Sequence, residues 1–297
     1  MTEVAKTAGL QSSLLSVKKT TSLADRAQEN LASGRKVNKV TDNPLAFFIA
    51  KALTDKAGTL TDLKTGVDQA VSSVTTASIG IETIEKFTQQ LKGLAEAARS
   101  ADPAQQKVLA DQFREIGNQI ALVAEDASYQ GQNLLKGNNQ VQARFDEREE
   151  SKLTVNGYNL TGSTADLESG LFSVAAYDEN GAFQLGAFGI TGDSFTSFGT
   201  DQSAFNDLIN NIDSAVNRLR GQAAELGSNV AILQERLNYT DNAVNNLLSG
   251  ADKLTLADLN EEAATLTAAD TRRQLGLGAV SLAGQQSRSI LQLLGQA

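Results

Sequence analysis

A hydrophobic repeat with spacings of alternately four and three residues constrains the fold of this chain more than any other feature. In the first half, eleven positions from Leu63 to Ala98 keep this register, and fifteen positions from Phe205 to Leu254 keep it in the last third. At about 1.5 Å per residue the longer repeat is a helix of roughly 75 Å, which cannot bury its apolar seam without long partners. The repeat therefore predicts a mainly α protein built as an elongated, coiled-coil-like helical rod.

A second helix in the first half is predicted to fold back on the first. Asp102 is a residue type suited to an N-cap and Pro103 to the first helical position, so a new helix begins there. Helices over 46–100 and 104–130 are then the partners available to the long helix of the last third. The apolar repeat of the second helix continues through Leu109, Phe113, Ile116, Ile120, Val123 and Ala127.

Both ends of the chain are predicted to be helical but differ from the rod. Residues 8–36 carry their own heptad stripe, whereas the apolar residues of the C-terminal segment spread around the helix more widely than one seam. The C-terminal segment also contains Gly276, Gly278 and Gly284, each of which costs a helix about 0.5–1 kcal/mol relative to alanine. Burial against neighbours must supply the missing stability, so we expect the two end segments, which make up a terminal helical pair, to be weakly ordered in a monomer and to fold on assembly.

Between the helical halves the period changes to that of strands. Near 140–200 the sequence alternates, and Asn156-Gly157 and Asn180-Gly181 have the composition of two-residue type I′ hairpin turns. This indicates a small β-rich central insert. The chain thus divides into an N-terminal helix with its connecting loop (1–45), the first half of the rod (46–140), the insert (141–200), the second half of the rod (201–256) and a C-terminal helix (257–297).

The composition excludes several classes of function. The chain has neither cysteine nor histidine, which removes structural zinc, the Cys–His nucleophile and the Ser–His–Asp triad. A net charge of -9 argues against a nucleic-acid partner, and no apolar run is long enough for membrane insertion. The run 146–150 offers carboxylates for an enzyme reading, but a solvated turn between two strands is favoured over paired acid and base groups. We therefore predict no catalytic, metal or cofactor site and no cofactor.

The two ends carry residue patterns that resemble the signatures of bacterial flagellins. At the N-terminal end the match to a Leu-x-Ser-Gly-x-x-(Ile/Val)-Asn core and a following acidic residue consists of Leu31, Ser33, Gly34, Arg35, Val37, Asn38 and Asp42. At the C-terminal end it consists of Glu262, Ala263, Leu266, Thr271, Arg272, Gln274, Leu275, Ser281, Ala283 and Gln285. The resemblance covers roughly 1–140 and 200–297, with a dissimilar middle.

The resemblance implies a structural protein, not an enzyme, that assembles with itself into the flagellar filament used for swimming. It implies an extracellular location, type III export without a cleavable signal peptide, an export chaperone on the C-terminal segment, and contacts with the flagellar cap and junction proteins. It also implies that both terminal segments are polymerisation helices. The residues expected to pack between subunits are Leu10, Leu14, Val17, Leu31, Leu266, Leu275, Val280, Leu282, Ile290, Leu291 and Leu294.

Departures from the family pattern keep two alternatives open. Asn43-Pro44-Leu45 is followed by Phe47 and Phe48, where many flagellins place small residues. This step also resembles the hook-associated junction protein, although a cap followed by proline at the first helical position suits either protein. The second alternative is a free coiled-coil interaction module.

Two surface features follow from the resemblance. Innate immune receptors read the rod-helix stretch 89–95 in many flagellins, and the recognised version carries an Arg and a Glu where this chain has Gln90 and Gly93. The missing charges predict weak or absent receptor recognition. Possible O-glycosylation sites in the insert are Ser194, Thr196, Ser197 and Thr200.

Overall fold

The structure is a computed structural model that describes residues 8–137, 139–161, 171–172, 176–178, 180–191, 194–198 and 202–294. The α-helices are α1 (Ala8–Ser33), α2 (Pro44–Ala98), α3 (Pro103–Asp126), α4 (Gln202–Thr255) and α5 (Leu259–Leu294). The strands are β1 (Ser128–Tyr129), β2 (Gln132–Asn133), β3 (Gln140–Arg144) and β4 (Lys152–Asn156), and two short 3-10 helices span Leu185–Phe188 and Phe195–Phe198. The predicted mainly α fold with a small strand-bearing insert is confirmed.

The chain divides into two compact units. Residues up to 57 and from 245 onward form the first unit, which contains α1, α5, the start of α2 and the end of α4. Residues 58–244 form the second unit, which contains most of α2 and α4, all of α3 and the insert. We call them the terminal unit and the central unit.

The heptad stripes form the core of the central unit. Ten of the eleven predicted positions from Leu63 to Ala98 are buried, and Leu63 itself is half-buried. Every position of the longer stripe from Phe205 to Leu254 is buried or half-buried, including the part in the terminal unit. The period of the sequence therefore identifies the packed faces of both long helices.

Ion pairs on the surface of the central unit show the register in which α2 and α4 pair. Lys64 Nζ lies 2.7 Å from Asp241 Oδ1, and Lys92 Nζ lies 2.7 Å from Asp213 Oδ1. Lys64 and Lys92 are 28 positions apart, and Asp213 and Asp241 are also 28 positions apart, so the helices run antiparallel without a register slip. Such exposed pairs stabilise a fold little, but they restrict sliding of one helix along the other.

The break between α2 and α3 has the predicted chemistry. Asp102 Oδ1 accepts a hydrogen bond from the backbone N–H of Gln105 at 2.9 Å, and Pro103 occupies the first helical position. The buried face of α3 is rotated by about one residue from the predicted stripe, because Leu109, Ile116 and Val123 are only half-buried. The buried face consists of Gln106, Ala110, Phe113, Gly117, Ile120 and Ala124.

An aromatic cluster anchors the insert to α3 and α4. The side chain of Phe113 is fully buried, and its ring lies 5.7–6.1 Å from the rings of Phe183, Phe188 and Phe195. The Tyr177 hydroxyl donates to the carbonyl oxygen of Gly117 at 3.2 Å, and complete burial raises the pKa of this phenol. Aromatic pairs at these separations stabilise beyond the area they bury, so the insert shares an aromatic core with the helices that it packs against.

The predicted turn at Asn156-Gly157 is wrong. Asn156 ends β4, and the hairpin turn lies instead between β3 and β4, where the charged run 146–150 forms the solvated turn expected for it. A Cβ on Gly157 would lie 2.6 Å from the carbonyl oxygen of Asn139, so glycine serves here to let two backbones approach. Asn180-Gly181 lies in the loop between two bridged residues, Tyr177 and Phe183, but only Gly181 has a positive φ, so the pair does not form the predicted two-residue type I′ turn.

Candidate subunit-packing surface

Helices α1 and α5 pack closely within the terminal unit because small side chains line their contact. Ala24, Ala27 and Ala269 are all at most 3% exposed. Near the other end of the contact, a Cβ built on Gly276 would lie only 2.6 Å from Cγ2 of Val17. Small residues at such positions allow two helix backbones to approach. The two terminal helices therefore form a closely packed pair, and mainly small side chains lie between their axes.

The N-terminal family motif forms the loop that leaves α1. Gly34 has φ +70, a left-handed conformation that ends the helix and favours glycine. Val37 is buried, and the N–H groups of Lys36 and Val37 both donate to the carbonyl oxygen of Thr255 at the end of α4. The loop is therefore joined by backbone hydrogen bonds to the turn that precedes α5.

Asp42 closes this loop. Its Oδ2 accepts hydrogen bonds from the backbone N–H of Lys39 at 2.8 Å and of Asn38 at 2.9 Å. Both bonds stabilise the ionised carboxylate, the bond from Lys39 most strongly, and they hold the pKa of Asp42 below its ordinary value. The next residue, Asn43, accepts from the backbone N–H of Ala46 through Oδ1 and caps α2 as predicted.

A side-chain network links the two family motifs. Asn30 Nδ2 donates to Glu262 Oε1 at 2.9 Å, and Asn38 Nδ2 donates to Asn30 Oδ1 at 3.3 Å. Glu262 lies in the first turn of α5, whose start is capped by Asp258 Oδ1 accepting from the N–H of Asn260. Half-buried polar groups that satisfy one another in this way fix one arrangement of the two helices.

Large apolar side chains remain exposed over much of the terminal unit. Of the nineteen exposed large hydrophobic residues among the described side chains, fourteen lie in this unit, although it holds fewer residues than the central unit. Leu275 is 69% exposed and Leu282 is 59% exposed. A concentration of exposed apolar side chains is typical of a surface that interacts with another molecule.

The expected packing residues divide by exposure. Leu14, Leu31, Leu275 and Leu282 are exposed. Val17, Leu266 and Val280 are half-buried, which is consistent with positions that face the paired helix in part. The backbones of Leu10, Ile290, Leu291 and Leu294 are helical, and their side chains lie outside the described part of the structure.

The remaining family-motif residues lie at the surface. Ser33 Oγ accepts from the N–H of Arg35 at the end of α1. Thr271 on α5 donates its hydroxyl to the carbonyl oxygen of Thr267, while Arg272 and Gln274 are exposed beside it.

Sequence reasoning did not select several of the exposed apolar residues as packing residues. Leu45 is 72% exposed and Phe48 is 60% exposed at the start of α2, and Leu15, Leu23 and Leu277 are exposed on α1 and α5. The available signal was the pair Phe47-Phe48, noted only as a departure from the family. Exposure itself has no signature in a single sequence, because an apolar helix face reads the same whether its own chain or a neighbour covers it.

The remaining predicted surface sites lie in the central unit. Gln90 and Gly93 are exposed on the outer face of α2, opposite the buried Leu91 and Ala95. Thr196 and Ser197 are exposed, but Ser194 is buried, and its Oγ accepts from the N–H of Thr196. Thr200 lies outside the described residues. Of the four, Thr196 and Ser197 remain as glycosylation predictions with exposed hydroxyl-bearing side chains.

Two kinds of site are absent from the described part of the chain. No described helix combines the length and the apolar character needed to pass through a bilayer. Within the same residues, no three His, Cys, Asp or Glu side chains gather in a group that could hold a metal ion.

Comparison with protein families gives two matches. Residues 7–140 match the bacterial flagellin N-terminal helical region, and residues 209–294 match the bacterial flagellin C-terminal helical region. Together these two regions of one family cover well over half of the chain. The unmatched stretch between them, 141–208, contains the whole of the insert (141–200).

Individual proteins agree with the family matches. Flagellin FljM of Caulobacter vibrioides is 26% identical over 270 residues, which cover 90% of this chain and 89% of that protein. Flagellin C of Rhizobium meliloti is 23% identical over 91% of this chain and 92% of its own length. Among solved structures, Bacillus cereus flagellin aligns with a TM-score of 0.44 and 14% identity, covering 59% of this chain and 88% of that chain.

Proposed function

The chain belongs to the bacterial flagellin family, and we propose that its terminal helices α1 and α5 are the elements through which copies of it polymerise. It is a structural subunit of the flagellar filament. The finer assignment concerns which surfaces join one copy to the next, and the described residues favour the terminal unit.

The unequal distribution of exposed apolar residues carries this assignment. Each leucine that passes from water into a packed interface contributes about 1.5–3 kcal/mol. Several such residues, among them Leu14, Leu275 and Leu282, are exposed in the single chain. A filament repeats the contact at every subunit, so modest burial per copy gives a stable polymer.

The wider biological setting is part of the proposal. We place the chain outside the cell in the flagellum, where it serves swimming and contacts cap and junction proteins after export. An export chaperone would bind the C-terminal segment, whose apolar residues need cover before assembly. The absence of cysteine and the presence of only two prolines suit passage of an unfolded chain, because neither disulfides nor slow X-Pro isomerisation delays threading. The role is structural and not enzymatic.

Electron microscopy of negatively stained protein tests the proposal. The full chain, seeded or salted out, is compared with a truncation lacking residues 258–297. We expect long filaments from the full chain and only monomers from the truncation. Circular dichroism of the truncation must still show the helices of the central unit, which exclude general unfolding as the cause.

Two outcomes would contradict the proposal. Filaments formed by the truncation would show that α5 is dispensable for assembly. A full chain that stays monomeric in every condition, seeded or salted out, would favour the junction protein and then a free coiled-coil module.

A further inference from the structure

A cleft with an uncharged polar lining lies in the central unit. One face of α2, the turn between β1 and β2, and strand β3 form it, and its volume is about 520 Å³. This volume is within the range of sites that hold small molecules. None of its ten lining residues carries a charge, and five of them are glutamines: Gln69, Gln130, Gln132, Gln140 and Gln142. We call it the glutamine cleft.

Three separate elements bring these residues together. Tyr129 and Gln132 both line the cleft and are paired across the β1–β2 hairpin, so their side chains are neighbours on one face. Gln140 and Gln142 are two positions apart on β3 and likewise share a face. The lining residues within 66–73 of α2 are separated by three, one and three positions, which places them on one side of the helix.

The amide groups of the five cleft glutamines are available to a ligand. Within the described part of the chain, no hydrogen bond involves any of these five side chains. Glutamines on the helices do find partners, since Gln89 Nε2 donates to Glu85 Oε1 at 3.0 Å and Gln119 Nε2 donates to Glu115 Oε1 at 2.9 Å. A primary amide carries two donor hydrogens and an acceptor oxygen, so the cleft can bind a ligand through several hydrogen bonds.

Gln130 holds a backbone conformation that its residue type disfavours. Its φ is +50, and among the described residues it is the one residue other than glycine with a positive φ. Asparagine or glycine suits this position of a two-residue hairpin turn, which Gly131 completes with φ +81. Strained backbone of this kind is concentrated at binding sites. A glutamine here also extends its amide one bond further than an asparagine could.

The lining matches the groups of a neutral sugar. Adjacent hydroxyls of a pyranose ring offer a donor and an acceptor side by side, and one primary amide can satisfy both. The C–H face of the ring is weakly apolar and packs on an aromatic ring, which the half-buried Tyr129 supplies. Because the lining has no charged side chain, it cannot pair with a phosphate, a carboxylate or an amine. A purely apolar ligand would leave the amides without hydrogen bonds.

We propose that the glutamine cleft binds an uncharged saccharide through amides of α2, the β1–β2 turn and β3 and through the ring of Tyr129. The cleft belongs to the central unit, whereas the helices proposed for polymerisation belong to the terminal unit. The inference therefore adds a ligand site to a structural protein. Repeated along a filament, even a weak site would hold a polysaccharide surface through many simultaneous contacts.

Titration of the full chain with neutral oligosaccharides tests the site. The chain is kept below its critical concentration, and the probes are maltotriose, mannotriose and chitotriose. The readout is the glutamine NH2 signals in ¹H–¹⁵N correlation spectra, each assigned by its loss in a single glutamine-to-alanine variant. We expect at least one sugar to shift the cleft amides saturably, while Gln112, an exposed glutamine outside the cleft, stays unshifted. Trigalacturonate, which carries a carboxylate on each ring, should shift them much less.

Two substitutions change the cleft while sparing the fold. Gly66 lines the cleft, and nothing lies within 4 Å of an added Cβ, so Gly66→Leu should obstruct the cleft and abolish the shifts. Gly58→Leu is the matched control, because Gly58 is equally open on the same helix but does not line the cleft. Gln130→Asn relieves the turn and should keep or raise the thermal midpoint. Because it withdraws one amide, it should raise the dissociation constant about three- to tenfold.

Several results would overturn the inference. The first is the absence of saturable shifts with all three sugars, and the second is an equal response to trigalacturonate. Binding that survives both Gly66→Leu and Gln130→Asn unchanged would place the sugar elsewhere on the chain. A capped pentaserine peptide that shifts the same amides at lower concentration than any sugar would assign the cleft to an extended peptide. None of these measurements requires a filament, so their outcome is independent of the polymerisation test.

Discussion

Gly276 on α5 lies directly against Val17 on α1, so closely that a Cβ added to the glycine would be 2.6 Å from Cγ2 of the valine. Real Cβ atoms do not approach other carbons to this distance, and valine has little freedom to rotate its methyl groups away in a helix. The separation of the terminal helices at this level is therefore set by the absence of one methyl group.

Gly276→Ala is expected to weaken assembly. The substitution gains about 1 kcal/mol in helix propensity, but the added methyl group forces α1 and α5 apart. We expect the second effect to dominate and to raise the critical concentration for assembly. Combining it with Val17→Ala should restore assembly. Gly278→Ala is the matched control, because nothing lies within 4 Å of its added Cβ, and it should leave assembly unchanged or improve it. Equal effects at 276 and 278 would contradict the close contact.

Leu275→Ala and Leu282→Ala should impair assembly without unfolding the monomer. Both side chains are mostly exposed in the single chain, so their loss costs the folded monomer little. Burial at a subunit interface makes each worth about 1.5–3 kcal/mol, or roughly tenfold or more in critical concentration. Ile79→Ala removes an equally exposed residue from the central unit and is the control. If all three variants assemble equally well, α5 is not a packing surface.

The Asp42 carboxylate should make the terminal unit less stable in acid. The pKa of Asp42 is lowered in the folded chain, so the carboxylate contributes to the free energy of unfolding above the ordinary aspartate pKa of about 4. This contribution is lost as the pH falls through the lowered value. Asp42→Asn keeps an acceptor for the loop N–H groups but cannot titrate. Thermal unfolding followed by circular dichroism should show a difference between the two proteins at pH 7 that disappears in acid. A difference that does not depend on pH would contradict this reasoning.

Gly117→Ala should destabilise the central unit. An added Cβ would lie 2.3 Å from Cγ of Phe183, a rigid ring inside the aromatic cluster. Overpacking of this kind costs about 1–3 kcal/mol, which exceeds the roughly 1 kcal/mol gained in helix propensity. Gly221→Ala on α4 meets nothing within 4 Å and should stabilise by the propensity term alone. Urea unfolding should give a lower free energy of unfolding for Gly117→Ala and a higher one for Gly221→Ala than for the unsubstituted chain.

Restoring two charges on α2 should create recognition by innate immune receptors. Gln90→Arg with Gly93→Glu places the family's recognised pair on a face that is exposed here. A receptor-driven reporter in cultured cells should respond to the double variant more strongly than to the unsubstituted chain. Gly93→Ala, which changes helix propensity but adds no charge, should leave the response unchanged. An unchanged response to the double variant would show that other residues set recognition.

The helical part of the fold could be predicted because burial along α2 and α4 follows one uninterrupted period. For the strands, the sequence predicted that they occur in the insert but not where their turns lie. Gln130 and Gly131 form the tight turn between β1 and β2 with φ of +50 and +81, yet glutamine there gives no recognisable turn signal. Asn156-Gly157 has the composition of a hairpin turn but does not form one, because the backbone of Gly157 packs against that of Asn139.

The candidate site was predictable where resemblance supplied residues and unpredictable where distant residues meet. Asn30 and Glu262 are 232 positions apart, and nothing in either neighbourhood announces their hydrogen bond. The exposure of Phe48 at the start of α2 was equally hidden, since a phenylalanine in a helix gives no sign in the sequence of whether it is buried.

The aromatic core of the insert determines where this protein tolerates foreign sequence. Residues 147–150 are exposed at the turn of the β3–β4 hairpin, and this turn is closed by the N–H of Phe145 donating to the carbonyl oxygen of Ser151. Peptides grafted there disturb little buried surface, whereas peptides grafted among the phenylalanines of 183–198 would displace them from their neighbours. The hairpin tip is therefore the place to display an epitope or an enzyme on a polymer of this chain.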